Sequence, residues 1–266
     1  MKFEFTKMHG AGNDFVIIDL RNRSDASAFF DCALVSRICN RPDGIGSEGA
    51  IFILESEDAD FQMKFFNPDG NEADLCGNGA RCVAKYALDH GLSKRGGCEG
   101  ICFRTNSGLV KARQIGNGCM KISMPTVSFP LADRDFAVAG VPHKIVFCDN
   151  PEDVDIRIEG SKIRYSREFD STNGTNVDFV GVSSEHRIFI RPYERGVEDE
   201  SFACGTGAVA AAVICVKNKR AQFPVSVMTR LGYELIVDGK TGDDGGFEEI
   251  TLAGPAKYVF SGVMEC

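Results

Sequence analysis

Hydrophobic and polar residues alternate at Lys2-Phe3-Glu4-Phe5, the chain turns at His9-Gly10-Ala11-Gly12, and an apolar run follows at Asp14-Phe15-Val16-Ile17-Ile18-Asp19. Alternation, a glycine-rich turn and a second run together predict paired strands. Similar runs at 50–54, 61–66, 109–115, 120–124, 143–148, 187–191, 233–237 and 249–252 predict more short strands. Helical spacing is confined to 80–90 and 208–219, each just after a Cys-Gly-X-Gly turn, and to 26–39.

The two helices that follow those turns expose an internal repeat. LCGNGARCVAKYALDHG from Leu75 aligns with ACGTGAVAAAVICVKNK from Ala203. Asn67 precedes Cys76 by nine residues and Glu194 precedes Cys204 by ten. NDFV from Asn13 echoes NVDFV from Asn176, and SGLVK from Ser107 echoes LGYEL from Leu231. One supersecondary plan used twice is the expectation. The boundary is expected at the turn-forming Gly116-Asn117-Gly118, which gives domains of 1–116 and 117–253.

Glycines around a cysteine at a strand-to-helix turn let the backbone approach a ligand and leave the first helical N–H groups without internal partners. That end of a helix favours a bound carboxylate and favours the thiolate of a cysteine placed there. Two such turns facing one substrate would put a sulfur on each side of a carbon. Inverting a stereocentre needs that arrangement, with one group removing the α-proton and another returning one to the opposite face. Either turn alone also fits a glycine-capped core helix with a buried cysteine. The same residues in register in both halves are not a packing requirement.

Composition narrows the choice. A length of 266 residues suits two domains, and 43% hydrophobic with 26% charged residues suits a folded globular chain. A net charge of −8 without a basic run gives no footprint for nucleic acid or anionic lipid, so a small polar substrate is expected. Lys2, Glu4 and Lys7 interrupt any signal-peptide stretch, and no run nears the roughly 18 apolar residues of a membrane span. Eleven cysteines then read as free thiols in a reducing cytoplasm. The close pair Cys98 and Cys102 lacks the second pair of a structural zinc site, so no metal is expected. Phosphate-loop and Gly-X-Ser-X-Gly motifs are missing, and the Gly10/Gly12 pair lacks the third glycine of a dinucleotide fingerprint. A Cys–His hydrolase using His143 leaves the second turn unexplained.

The segments KMHGAGNDFV from Lys7, RPDGIGSEG from Arg41, FFNPDGNEADLCGNGARC from Phe65, GVPH from Gly140, TNVDFV from Thr175 and YERGVEDESFACGTGA from Tyr193 resemble the diaminopimelate epimerase family over nearly the whole chain. The resemblance implies an α/β fold of the α+β type, with two pseudo-symmetric domains. Each is a mainly antiparallel, barrel-like sheet around a central helix, with the active site in the cleft between them. The last segment, 254–266, returns to the first domain. It also implies epimerisation of LL-2,6-diaminopimelate to the meso form, in lysine and peptidoglycan-precursor synthesis, without pyridoxal phosphate or any other cofactor.

By the same resemblance Cys76 and Cys204 are the two bases. Asn13, Asn67, Asn176, Glu194 and Arg195 bind substrate by side chain, and Gly77, Asn78, Gly205 and Thr206 offer backbone N–H groups. His143 and Glu194 correspond to residues that tune the thiols. By themselves Asn13 and Asn67 read equally as turn asparagines, His143 as a surface histidine, and Glu194–Arg195 as a surface ion pair.

Three departures bear on the far end of the substrate. Val141 stands where many members carry asparagine, GIGSEG from Gly44 replaces the commoner GIGADG or GIGFDQ, and one residue is added between YERG and ACG. The alternatives are a racemase of another amino acid, such as histidine, and a thiol redox or thiol-binding protein. The sequence leaves monomer and homodimer open.

Overall fold

The computed structural model describes residues 1–94, 100–116, 118–243 and 245–266; Cys98 and Asn117, singled out above, lie outside them. The chain divides into two compact units, Met1–Ile122 with Pro255–Cys266, and Ser123–Gly254.

In the first unit β1 (Lys2–Gly10) pairs antiparallel with β2 (Asn13–Asp19), Gly10 opposite Asn13. β2 runs parallel to β3 (Ala50–Leu54), and α1 (Cys32–Cys39) lies in the crossover. β3 is antiparallel to β4 (Phe61–Phe66), which pairs with the short β5 (Glu72–Ala73). After α2 (Gly77–Asp89), β6 (Ile101–Thr105) returns parallel to β4, and β7 (Gly108–Gln114) and β8 (Cys119–Ser123) follow antiparallel.

The second unit repeats the order. β9 (Phe136–Ala139) and β10 (Val141–Phe147) are antiparallel, and β10 is parallel to β11 (Asn176–Ser184) across α3 (Ile156–Arg164). β11 is antiparallel to β12 (Arg187–Glu194), which pairs with the short β13 (Asp199–Glu200). α4 (Gly205–Lys217) leads to β14 (Val225–Thr229), parallel to β12, then to antiparallel β15 (Glu234–Thr241) and β16 (Phe247–Pro255). The chain ends as β17 (Lys257–Glu265), antiparallel to β1 with Lys2 opposite Glu265.

In this order β1–β8 correspond to β9–β16, α1 to α3 and α2 to α4. The echo between Asn13 and Asn176 is therefore not a repeat position: Asn13 opens β2, whereas Asn176 opens β11, the counterpart of β3. The resemblance of the two segments comes from a shared local pattern, an asparagine at a turn before an apolar strand.

Both repeated helices are core elements. Every residue of α4 from Gly207 to Cys215 is buried, so the helix has no polar face there and must be enclosed. α2 buries Ala80, Arg81, Cys82, Val83, Ala84 and Ala87 and turns Lys85 and Asp89 outward. The third residue after each cysteine is a glycine in close contact with the neighbouring strand. A Cβ on Gly79 would lie 2.9 Å from Ile51 Cδ1, and one on Gly207 2.5 Å from Asp178 Oδ1. The helix starts thus lie hard against β3 and β11.

The single helix expected over 26–39 is instead a 3-10 turn, Ala26–Phe30, followed by α1. Asp31 breaks it: its backbone is extended, and its carboxylate accepts from the Leu34 N–H at 2.9 Å, capping a new helix.

Candidate active site

Cys76 and Cys204 occupy the same position in their units, the N-cap residue of a buried helix. Their backbones are extended, with φ −115° and ψ 115° at Cys76 and φ −102° and ψ 113° at Cys204. The first intrahelical bonds run from Ala80 N–H to Cys76 O at 2.7 Å and from Ala208 N–H to Cys204 O at 2.9 Å. The amides of Gly77 and Asn78, and of Gly205 and Thr206, precede those bonds and form the positive end of each helix. Such an end is suited to an anionic carboxylate.

The surroundings of the two sulfurs differ in charge. In the first unit Arg81 is wholly buried one turn into α2. It donates from Nη2 to Asn78 Oδ1 at 2.6 Å and from Nη1 to Gly77 O at 3.3 Å, while its Nε has no hydrogen-bond partner among the described residues. Burial pulls the Arg81 guanidinium below its ordinary pKa, and the neighbouring thiols Cys82, Cys76 and Cys119 act in the opposite sense. A cation therefore lies within electrostatic reach of Cys76.

Around Cys204 the fixed charges are negative. Its thiol is pushed well above the ordinary value, first by burial and then by the carboxylates of Glu194 and Asp178. Contacts with Thr206 and the Gly207 N–H act the other way and do not outweigh this. Cys204 Sγ lies 3.3 Å from Thr206 Oγ1 and accepts from Gly207 N–H at 3.4 Å. Thr206 Oγ1 lies 3.0 Å from His143 Nε2, and His143 Nδ1 lies 2.7 Å from Asp178 Oδ2. A continuous line of polar groups thus joins Asp178, His143, Thr206 and Cys204.

His143 is fully buried on β10, which corrects its reading as a surface histidine. Asn176 holds two elements of the second unit together: its Nδ2 donates to Pro142 O at 3.1 Å, and its Oδ1 accepts from Arg195 N–H at 2.7 Å. Glu194 ends β12 opposite Asp199. The Arg195 side chain is tied to backbone, donating from Nη1 to Thr172 O at 3.0 Å and to Asn173 O at 3.4 Å. Burial and the nearby Arg164 lower its pKa.

In the first unit, Asn13 Oδ1 is buried with no hydrogen-bond partner among the described residues. Such an acceptor is costly unless something else uses it. Beside it, Asp14 forms ion pairs with Lys7 at 2.8 Å and Arg41 at 3.0 Å, pinning the Arg41–Gly49 loop. Asn67 lies just past β4 and closes a tight turn, with its N–H on Asn71 O and its carbonyl accepting from Gly70, both at 2.9 Å. In the Arg41–Gly49 loop, Gly49 cannot carry a side chain, since a Cβ would lie 2.5 Å from the Phe65 ring and 2.7 Å from Phe66 O. Asp178 and Arg81 were not singled out from sequence. The only signals were an acidic residue inside the apolar NVDFV run, two positions from Asn176, and an arginine on the inner face of the first repeated helix.

A model of the diaminopimelate epimerase family matches residues 5–124 and 136–259. The chain is 36% identical to the diaminopimelate epimerase of Aquifex aeolicus, over 97% of this chain and 96% of that protein. It is 34% identical to those of Flavobacterium psychrophilum, over 96% and 97%, and Archaeoglobus fulgidus, over 99% and 97%. Among solved structures, a phenazine biosynthesis protein of the PhzF family from Bacillus anthracis superposes with a TM-score of 0.74 at 15% identity, over 100% of both chains. A probable proline racemase from Agrobacterium radiobacter gives 0.70 at 14%, over 99% of this chain and 92% of that one. These superpositions speak for the fold alone.

Proposed function

The chain belongs to the diaminopimelate epimerase family, and on that premise we propose that it interconverts LL- and meso-diaminopimelate with Cys76 and Cys204 as the two acid–base groups. The observation that carries this reading is the duplication: one thiol at the N-cap of the buried helix in each repeat, at that helix's positive end. One thiol acts as thiolate and removes the α-proton, and the other supplies its proton to the opposite face. The roles exchange with direction. An amino-acid α-proton is weakly acidic, so charge developing on the carboxylate side needs donors already in place, which the amides of Gly77, Asn78, Gly205 and Thr206 are suited to be. Asn13, Asn67, Asn176, Glu194 and Arg195 are proposed to hold the amino-acid groups, with the unpartnered Asn13 Oδ1 suited to an ammonium. The chemistry as proposed calls on no cofactor.

We place the enzyme in the cytoplasm. Among the described residues no disulfide joins any cysteine, and no helix is long and apolar enough to cross a membrane. A homodimer is the proposed assembly, supported by the exposed Val259, Phe260 and Val263 on β17. Sedimentation that finds only monomer at working concentration removes that part.

The deciding experiment is incubation with LL-diaminopimelate in D2O, followed by NMR at the α-proton. Early meso product should carry deuterium at the inverted carbon, because the returning proton comes from a thiol equilibrated with solvent. Retention of substrate protium there would exclude separate acid and base groups. No exchange with diaminopimelate, alongside exchange with another amino acid, would assign a different substrate.

A further inference from the structure

We propose that Asp178 is a positioning residue, which fixes the tautomer of His143 and thereby makes the Thr206 hydroxyl a two-position switch on Cys204. The inference rests on Cys204 being one of the reacting thiols.

The carboxylate can only accept, so at 2.7 Å the His143 Nδ1 must carry a hydrogen and donate it to Asp178 Oδ2. In the neutral ring Nε2 is then an acceptor, and the hydroxyl 3.0 Å away donates to it. With its hydrogen so directed, Thr206 Oγ1 presents a lone pair to Cys204 Sγ at 3.3 Å and accepts from the S–H. This direction of bonding suits the thiol, the form that burial beside Glu194 and Asp178 favours.

When Cys204 delivers its proton to the carbanion, the S–H bond breaks with its electron pair left on sulfur, the Cα–H bond forms from the carbanion's pair, and the negative charge passes from carbon to sulfur. The Thr206 hydrogen then rotates from Nε2 to the sulfur, and no proton crosses to the imidazole. Were Nε2 protonated instead, it would donate to Oγ1 and hold the hydroxyl hydrogen on the sulfur throughout.

The backbone is shaped to admit Asp178. The residue is fully buried on β11, and its Oδ1 has no hydrogen-bond partner among the described residues. That oxygen sits against the start of α4, where a Cβ on Gly207 would come within 2.5 Å of it. The positive end of the helix favours an oxygen over an amide NH2 at that place. An asparagine at 178 would therefore turn its oxygen to α4 and its NH2 to His143 Nδ1, inverting the tautomer.

The charged and titratable groups facing Cys204 from the packed strands are His143 on β10, Asp178 on β11 and Glu194 on β12. Asp178→Asn changes one of them with almost no change in volume. In purified, circular-dichroism-verified enzyme, kcat should fall by about a hundredfold or more, as expected for a wrong histidine tautomer, with KM little changed. In 15N-histidine spectra the unprotonated nitrogen of His143 should move from Nε2 to Nδ1. Cys204 should alkylate faster with iodoacetamide at neutral pH while Cys215, buried on the same helix, does not; general loosening would expose both. Wild-type kcat, or an unchanged His143 tautomer, overturns the proposal. If Asp178→Asn does not fold, Thr206→Val carries the test, since it keeps the backbone amide and removes the hydroxyl. Its kcat should fall and Cys204 should alkylate more slowly, with Thr206→Ser restoring both; wild-type behaviour of Thr206→Val overturns the proposal equally. Cys204→Ala separates the two levels. If it turns over normally the role of Cys204 fails, whereas an inactive Cys204→Ala beside a normal Asp178→Asn sinks only the present inference.

Discussion

At the scale of single residues, the two cysteines share a backbone position and differ in the charges around it. Cys76→Ala and Cys204→Ala should each remove epimerisation, measured by NMR or polarimetry, because each deletes the proton carrier on one face. Folding should survive at a cost of about 1 kcal/mol for the small cavity. Near-normal turnover by either folded variant would exclude that residue. A second expectation follows from burial and the two carboxylates that hold the Cys204 thiol above its ordinary value. Its alkylation by iodoacetamide, followed by peptide mapping, should stay slow through pH 9 and still be rising there; a plateau at lower pH would contradict the charge distribution described. Sequence showed both cysteines and the glycines beside them, because those residues sit at consecutive positions and repeat. His143 and Asp178 were harder to read. Their meaning depends on β10 and β11 lying parallel, with His143 opposite Asn176, two residues before Asp178, a pairing between strands 33 positions apart along the chain that no local pattern announces.

At the scale of elements, both helices after a Cys-Gly-X-Gly turn were legible, and the strands at 50–54 and 61–66 fall on β3 and β4. α3 was not anticipated. Its segment IRIEGSKIR is polar and contains Gly160, a poor interior helix residue, yet Asp155 caps it at the Ile158 N–H and the glycine is there for packing. A Cβ on Gly160 would meet the Tyr193 side chain at 2.5 Å. The repeat itself was the missed signal, since α3 fills the crossover that α1 fills in the first unit. The start of α2 offers a test at this scale. Arg81→Met keeps much of the volume and removes the buried cation. Losing the bond from Arg81 to Asn78 Oδ1 costs roughly 1–3 kcal/mol, partly offset by no longer burying a charge, so the fold should persist. Cys76 loses a neighbouring cation, its thiolate is disfavoured, and the rising limb of kcat/KM against pH should move to higher pH. An unmoved limb in a folded variant would show that Arg81 serves packing alone.

At the scale of the whole molecule, the buried thiols tie stability to pH, and each unit carries its own. Burial pushes Cys82 in the first unit and Cys215 in the second up to about 12, and raises Cys204 as well. In an unfolded chain these thiols ionise near their ordinary value of 9.0. Below that pH the folded and unfolded states hold the same protons, and the groups contribute their full stability. Above it the unfolded chain releases protons that the folded chain keeps, so unfolding is favoured progressively until folded Cys82 and Cys215 also ionise at about 12. A rise from 9.0 to about 12 corresponds to a loss of roughly 4 kcal/mol per thiol across that window at 1.36 kcal/mol per pH unit. Urea unfolding under reducing conditions should therefore move to lower midpoints between pH 8.5 and 10.5. The chain has no tryptophan, so Phe30→Trp and Phe129→Trp can report the first and second units in turn. Adding Cys82→Ala should flatten the pH dependence seen by the Trp at position 30 and leave that at position 129 as it was, because Cys82 and Cys215 belong to different compact units. If both reporters flatten together, the two units unfold as one and the thiols act on a shared equilibrium. If neither does, burial of Cys82 is not what makes the first unit sensitive to alkali.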